Sequence, residues 1–275
     1  MTKPIDFEHM FHHYVAGRLR EAGEIDEDAA EEMAEQLYEE WADTPNTALD
    51  GLSPRGWFAR FTSPQELTEL LIAYARADLD APDLLLERFE NLGAACAQPL
   101  EALVGAAGEN IQARAQALGL LPGIDEALAV RLAVETVLHA GESDPLNELA
   151  GELLQEQSGE EIRDVLLAGY AQAPEFAKML MLEILCNFPG DERIYTNMMD
   201  MLKNRPENRA FAAKLLGRYG DARAVEPLKA MLGQSDLTYF EYMEIRNAVE
   251  ALGGEIETER EFYGDPDYEY LRNLE

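Results

Sequence analysis

Residues 190–202 read GDERIYTNMMDML, and residues 220–232, thirty positions later, read GDARAVEPLKAML. The Gly-Asp pair, the Arg and the closing Met-Leu are identical in the two stretches, and the apolar positions between them coincide. A fixed period of this length is typical of stacked repeats, in which each unit buries its apolar face only against its neighbours. The echo therefore predicts a helical repeat array, and such arrays usually present binding surfaces.

Helical periodicity extends over most of the remaining chain. Residues 26–43 carry one apolar stripe with acidic residues opposite, which predicts an amphipathic helix. Ser-Pro pairs at 53–54 and 63–64 predict two further helix starts, and Glu66 adds a capping box to the second. From about residue 93 to 252, helical segments alternate with short turns, which indicates helix pairs. Since no stretch alternates at period two, we expect an all-α fold.

Residues 208–228 read NRAFAAKLLGRYGDARAVEPL and resemble a HEAT-like repeat of the short bacterial, phycobilin lyase type. In that family an Arg opens the second helix and a small-apolar stripe ends in Leu-Gly. A Gly-Asp turn and an Arg-Ala-Val-x-x-Leu helix then begin the next unit. The resemblance is good over 190–253, fair over 93–189 and absent before residue 90. It implies an α-α superhelix, or HEAT-like solenoid, that follows an N-terminal helical region.

The sequence predicts three regions. Residues 1–92 form an acidic helical region, and residues 93–254 form the HEAT-like solenoid, with the number of repeats left open between 120 and 175. Residues 255–275 are rich in acidic and aromatic side chains. Because a terminal repeat needs its apolar face covered, we expect this segment to be a folded-back cap. The alternative is a linear peptide that binds another protein.

The charge excludes one class of partner. The chain has 54 acidic and 22 basic residues and a formal net charge of −32, whereas nucleic-acid binding depends on neutralising phosphates with Lys and Arg. The same charge disfavours anionic membrane surfaces. Two cysteines, Cys96 and Cys186, lie in apolar helical contexts and are interpreted as reduced core residues. We expect a bacterial-type cytoplasmic protein, with no leader peptide, whose partner is another protein.

One stretch departs from this acidic background. Residues 203–229 contain seven basic and three acidic residues, a local net charge of +4. Either these cations pair with neighbouring repeats, or they form a patch for an anion or an acidic peptide. The residues of the candidate patch are Lys203, Arg205, Arg209, Lys214 and Arg218. By contrast, Asp191 and Asp221 are predicted helix N-caps, and Arg193 and Arg223 a ladder between repeats.

Two other features have both a structural and a functional interpretation. Between Glu21 and Pro54 there are twelve acidic residues and no Lys or Arg, which indicates either a solvated helix face or a docking surface for a basic partner. His9 and His13 share a helix face at a spacing that a metal site could use, although a merely His-rich exposed face is favoured. We assign no catalytic residues, no metal site and no cofactor, since no phosphate-binding loop or nucleophile elbow occurs.

Residues 44–54, TPNTALDGLSP, preceded by Trp41, are similar to a segment in the toxin-binding module of some bacterial antitoxins. The similarity covers about 15 residues and departs at Asp50, where that family prefers Gly. Helix capping alone also explains the pattern.

The sequence as a whole favours a non-catalytic scaffold or adaptor for protein–protein interaction, which would use either a concave helix surface or helix 26–43. The alternative is a lyase- or modification-type accessory enzyme on a HEAT-like scaffold, and it would need a pocket with a converged acid or His. A helical-repeat enzyme of the DNA-repair type is disfavoured by the charge.

Overall fold

In a computed structural model, residues 3–22, 36–157, 159–256 and 260–272 are described, and all the regular structure within them is helical. The prediction of an all-α fold is confirmed for these residues. The predicted helix 26–43 is helical over residues 36–43, and its first part lies outside the described residues. None of the helices within the described ranges has the length and apolar content needed to cross a bilayer.

The chain divides into two compact units, Met1–Ala133 and Val134–Glu275. The helices of the first unit are α1 (Phe7–Ala22), α2 (residues 36–43), α3 (Pro54–Ala59), α4 (Pro64–Arg76), α5 (Asp83–Leu92), α6 (Ala97–Val104) and α7 (Ile111–Leu120). Helix α8 (Glu126–Leu138) crosses the boundary. The helices of the second unit are α9 (Leu146–Gln155), α10 (Glu160–Tyr170), α11 (Glu175–Leu185), α12 (Glu192–Asn204), α13 (Arg209–Tyr219), α14 (Val225–Leu232), α15 (Tyr239–Ala251) and α16 (Pro266–Arg272). The predicted boundaries after residues 92 and 254 stay predictions.

The core of the first unit is built on aromatic side chains. Phe7 is 1% exposed, and its ring centroid lies 4.8 Å from that of Phe58 and 5.2 Å from that of Trp57. Trp41 packs edge-on against Phe7 at 6.3 Å. A further bond anchors the chain before α1, since the buried Tyr74 donates its hydroxyl to the carbonyl of Ile5 at 2.8 Å.

The second unit is built from small and aliphatic side chains. Helix α12 packs on α13, α14 packs on α15, and α13 also packs on α15. The last contact is close, because a Cβ at Gly217 would come within 3.0 Å of the Ala248 Cα. Ala212, Ala213 and Ala248 are all buried, as expected of small residues that allow helices to approach. Cys96 and Cys186 are buried free thiols in the two units, which confirms their interpretation as core residues.

The capping predictions have mixed outcomes. Asp191 and Asp221 each accept a backbone N–H two residues later and are N-caps, as predicted. Ser53 likewise caps α3, but the capping box expected at Ser63 is wrong, since the Ser63 side chain accepts no N–H from the first turn of α4. A complete capping box instead begins α15, where Thr238 and Glu241 bond each other's backbone N–H.

The segment 260–272 folds back onto α15. Phe262 is 7% exposed and packs against Tyr239 and Tyr242 at centroid distances of 5.7 and 5.1 Å. Asp265 accepts the backbone N–H of Tyr239 at 3.0 Å. These contacts cover the start of α15 in the way a cap would.

Candidate functional site

The residues of the predicted basic patch do not share one environment. Arg209 is 6% exposed and its guanidinium lies 3.4 Å from carboxylates of both Asp236 and Glu241. Arg205 pairs with Glu175 at 3.2 Å. Arg209 therefore belongs to the interior of the second unit, and its inclusion in a surface patch is contradicted by its burial.

The other four cations of that patch, Lys203, Arg205, Lys214 and Arg218, are exposed. Arg218 donates to the carbonyl of Glu183, and this hydrogen bond holds its guanidinium against α11. Lys203 and Lys214 are exposed and have no carboxylate within 4.0 Å among the described residues. Internal pairing accounts for Arg209, the most buried cation of the stretch, and an interaction patch formed by the exposed cations stays a prediction.

Ion pairs form a ladder that links α10, α12 and the segment just before α14, as predicted for Arg193 and Arg223. Arg193 bonds Asp164 of α10 at 2.9 Å and its own cap, Asp191, at 2.6 Å. Arg223 bonds Glu192 of α12 at 2.8 Å. Arg163, which lies 3.6 Å from Asp191, extends the ladder by one step. Because Arg163, Arg193 and Arg223 are spaced by thirty residues, the period of the sequence appears in the structure as a column of charges.

The ladder changes the acidity of its carboxylates. Hydrogen bonds from the Arg193 side chain, with a further bond from its backbone N–H, lower the pKa of Asp191 to about 2. The Arg223 side chain lowers the pKa of Asp221 in the same way. These groups stabilise helix starts and contacts between successive helices, and so they have a structural role.

The first unit contains an open cleft of about 390 Å³ between α1, α2 and the loop that joins α4 to α5. Its aromatic floor is formed by Phe7, Phe11 and Tyr38, and the ring centroids of Phe11 and Tyr38 are 5.3 Å apart. Five carboxylates surround that floor. They belong to Asp6, Glu8, Asp78, Asp80 and Asp83.

The acidic loop is held by the way α4 ends. Asp78 has a left-handed backbone with φ of 56°, and the following N–H, from Leu79, bonds back to the Tyr74 carbonyl at 3.1 Å. This is the six-to-one bond of a Schellman ending, with Asp in the place that Gly usually takes. Pro82 then ends the loop as the N-cap of α5. The backbone therefore fixes where the three loop carboxylates stand.

The acids of the cleft are not neutralised within the described residues. Glu8, Asp78 and Asp80 are exposed and make no ion pair there. Arg55 of α3 is itself occupied by Glu39 at 2.7 Å, Asp43 at 3.2 Å and Glu87 at 3.0 Å. The cleft consequently concentrates unpaired negative charge beside the rings of Phe11 and Tyr38.

The pKa of Tyr38 is raised at this position. Burial, followed by the charges of Asp83 and Glu87, raises the pKa of its hydroxyl to about 12. A cation seated over the rings of Phe11 and Tyr38 would be attracted both by their negative faces and by the carboxylates. The arrangement suits a cationic side chain with an apolar stem, and it offers no cation to an anionic ligand.

The histidines do not contribute to this cleft. His9 and His13 are exposed on α1, and neither lines the cleft. Over residues 3–22, 36–157, 159–256 and 260–272, no three His, Cys, Asp or Glu side chains are grouped so that they could hold a metal ion.

Sequence reasoning did not identify the loop 78–83. Its signal was present as three acids, with a Pro, between two amphipathic helices, a composition that also fits an ordinary solvated turn. Placing Tyr38 beside it requires the tertiary structure. Asp50, within residues 44–54, has a left-handed backbone with φ of 56°, a conformation that Gly adopts more readily.

No protein-family model matches the chain, and no curated protein is significantly similar to it. The resemblance to HEAT-like repeats therefore depends on the residues that carry it.

Proposed function

We propose that this protein is a non-catalytic interaction scaffold that binds a basic segment of another protein in the cleft of its first unit. The observation that carries the proposal is the aromatic floor of Phe11 and Tyr38 beneath five exposed carboxylates that make no ion pair among the described residues. A Lys or Arg side chain from a partner would place its aliphatic stem on the rings and its charge among the carboxylates.

A scaffold of HEAT-like repeats is part of the same proposal. In the second unit, the second helices of successive pairs, α13 and α15, pack on each other, and the arginine column repeats every thirty residues. Both features are expected of stacked helix pairs. An accessory enzyme is less well supported, because the acids of the cleft are exposed and no His lines it. A cytoplasmic protein partner fits the net charge of −32 better than a nucleic acid.

The proposal is tested with a fluorescein-labelled peptide in which Arg and Lys alternate with Leu and Ser, measured by fluorescence anisotropy. A matched peptide with Gln at every basic position measures the uncharged contribution. We expect the basic peptide to bind and the Gln peptide not to bind. The affinity should fall steeply as salt is added, because the charges are exposed to solvent.

The decisive variant neutralises the loop as Asp78→Asn, Asp80→Asn and Asp83→Asn. Asn tolerates the left-handed backbone at position 78, so the turn is kept. Three exposed ion pairs of about 0.5 kcal/mol each predict roughly tenfold weaker binding. The control variant, Glu66→Gln, Glu69→Gln and Glu90→Gln, removes the same charge from exposed positions of α4 and α5 outside the cleft.

If the two variants lost affinity equally, net charge alone would explain the effect, and the proposed site would be wrong. Phe11→Leu provides an independent check, since it removes a ring while keeping an apolar side chain. A cation over that ring contributes about 0.5–1 kcal/mol at an exposed site, so binding should weaken about two- to fivefold.

A further inference from the structure

The segment 260–272 is attached to the second unit through very little buried surface. Within this segment only Phe262 is buried, and helix α16 contains no buried residue. Tyr263 and Tyr270 are 66% and 67% exposed. Parts of a protein that bury few apolar contacts open locally, at a lower free energy than the core does. The segment is therefore placed to open while the rest of the unit stays folded.

One carboxylate, that of Asp265, connects the segment to the start of α15. Its Oδ2 accepts the Tyr239 backbone N–H at 3.0 Å, and its Oδ1 accepts those of Asp267 and Tyr268 at 3.0 and 3.2 Å. Tyr239 follows the N-cap Thr238 as the first residue of α15, so its N–H has no acceptor within the helix. Its protection from exchange with solvent therefore depends on the bond to Asp265.

Two further side chains show what fits this face of the second unit. The ring of Phe262 packs against Tyr239 and Tyr242 at centroid distances of 5.7 and 5.1 Å. The guanidinium of Arg260 donates to the carbonyls of residues 234–235 and lies 4.5 Å from the centroid of the Phe262 ring. The face thus accepts an Arg, an aromatic ring two positions later, and a carboxylate three positions after the ring.

We propose that the segment 260–272 is a displaceable strap, which opens without unfolding α15 and covers a docking face for a segment of another protein. The incoming segment carries the same three groups at the same spacing. The strap competes with it from within the chain, at a high effective concentration, and so acts as an autoinhibitory contact. A second copy of this chain is disfavoured as the partner, because each copy carries a net charge of −32. The face is independent of the cleft of the first unit.

Hydrogen exchange of the wild-type protein, followed by NMR, tests whether the strap opens by itself. Ile245, which is 0% exposed in the middle of α15, provides the reference amide, since it exchanges only when the helix opens. After correction for intrinsic rates, we expect Tyr239 to be protected, but to exchange at least about tenfold faster than Ile245. Equal protection would mean that the strap opens only with α15, and no protection would mean that it is not closed. Either result would overturn the proposal.

The variant Phe262→Ala, Asp265→Ala is designed to vacate the face. It should abolish the protection of the Tyr239 amide and leave the exchange of the reference amide unchanged, which also shows that the unit is folded. The control variant, Asp267→Ala, Tyr270→Ala, removes the same kinds of side chain from exposed positions of α16. It should change the exchange of the Tyr239 amide less than about twofold.

Binding by a separate chain is measured by fluorescence anisotropy with a fluorescein-labelled peptide of residues 260–272. We expect saturable binding to the Phe262→Ala, Asp265→Ala protein, at least about tenfold tighter than to the wild type, where the strap competes. The matched peptide, with Ala in place of Phe262 and Asp265, should not bind. Absence of saturation, or equal binding of the two peptides, would overturn the docking face.

Sedimentation of the wild-type protein over a range of concentrations identifies the source of the incoming segment. A monomer at every concentration supports a different protein as the partner. A dimer that forms with increasing concentration, and is lost in the Phe262→Ala, Asp265→Ala variant, would mean that the face binds the strap of a second copy. That result would overturn the assignment to another protein.

Discussion

The two units of this protein differ in how their charges are arranged. In the second unit, acids and arginines alternate along a column in which Asp164, Asp191 and Glu192 are each paired with an arginine. In the first unit, Arg55 bonds three acids and further pairs join Arg18 to Glu40 and Arg131 to Glu101, but the five carboxylates of the cleft make no ion pair among the described residues. Both units thus use ion pairs to join helices, and the cleft of the first unit also presents unpaired acids to solvent.

The cores of the two units also differ in their composition. The first unit is organised around Phe7 and its aromatic neighbours, whereas the second contains close helix contacts such as Gly217 against Ala248. A regular core supports repetition, because small residues let each helix pair meet the next in the same manner. An irregular aromatic core leaves surfaces such as the cleft, where parts of Phe11 and Tyr38 remain accessible.

The largest expected effect comes from Phe7→Ala. Phe7 is 1% exposed at the centre of the aromatic cluster, so its truncation should lower the free energy of unfolding by about 3–5 kcal/mol. Both tryptophans of the chain, Trp41 and Trp57, lie in the first unit. Urea unfolding followed by tryptophan fluorescence therefore reports on that unit, while circular dichroism at 222 nm, the usual helix band, reports on both.

The matched control is Phe240→Ala, where the same side chain is 56% exposed on α15. We expect a change within about 0.5 kcal/mol. If Phe7→Ala moved the fluorescence midpoint no more than the control, the aromatic cluster would not be the core of the first unit.

The close contact in the second unit is probed by Gly217→Val. The added carbons would enter the space taken by Ala248, and overpacking of this kind costs about 1–3 kcal/mol. The loss should appear in circular dichroism and leave the tryptophan transition in place. Gly17→Ala in α1 is the control, since nothing lies within 4 Å of its Cβ position, and it should stabilise the protein by about 0.5–1 kcal/mol. A neutral Gly217→Val would contradict the packing of α13 on α15.

Sequence patterns predicted more of the second unit than of the first, and one physical reason explains both results. In the second unit the caps Asp191 and Asp221 and the bridging arginines follow from the thirty-residue period of the sequence, since each depends on residues close in sequence or about thirty positions away. Arg209 was misassigned because burial beside Asp236 and Glu241 is a tertiary fact that a count of charges does not contain.

In the first unit, sequence patterns located the starts of α3 and α4 but not the cleft. The cleft requires Tyr38 of α2, Phe11 of α1 and the loop 78–83 to meet, and no period relates them.

The contribution of the charge column is tested by Asp191→Ala. This change removes the N-cap of α12 and a partner of both Arg193 and Arg163. Loss of an N-cap costs about 1–2 kcal/mol, and we expect a decrease of that size in the free energy of unfolding by circular dichroism. Glu101→Gln, which breaks the exposed pair with Arg131, should cost less than about 1 kcal/mol. Similar losses in the two variants would mean that the ion pairs of the column stabilise the protein no more than an ordinary surface ion pair does.

The smallest and most specific expected effect is a pH dependence of the free energy of unfolding that comes from the carboxylates of the column. Asn is as good an N-cap as Asp but does not ionise, so Asp191→Asn, Asp221→Asn keeps both caps and removes both titrations. In the folded protein the pKa of Asp191 is lowered to about 2, and that of Asp221 is also lowered. Groups of this kind stabilise the native state above their ordinary pKa of about 4, and this stabilisation is lost as the pH falls through the folded value.

The wild-type protein should therefore exceed the double Asn variant in stability at neutral pH, and the difference should shrink as the pH falls from about 5 towards 2. Urea unfolding by circular dichroism at a series of pH values measures this difference. Salt provides the control, because about 1 M NaCl screens the attraction to Arg193 and Arg223 while leaving the backbone hydrogen bonds in place. A difference that is constant with pH would mean that the arginines do not stabilise the ionised carboxylates. The column would then stabilise the second unit through its capping hydrogen bonds alone, and the electrostatic contrast between the two units would be confined to the unpaired acids of the first.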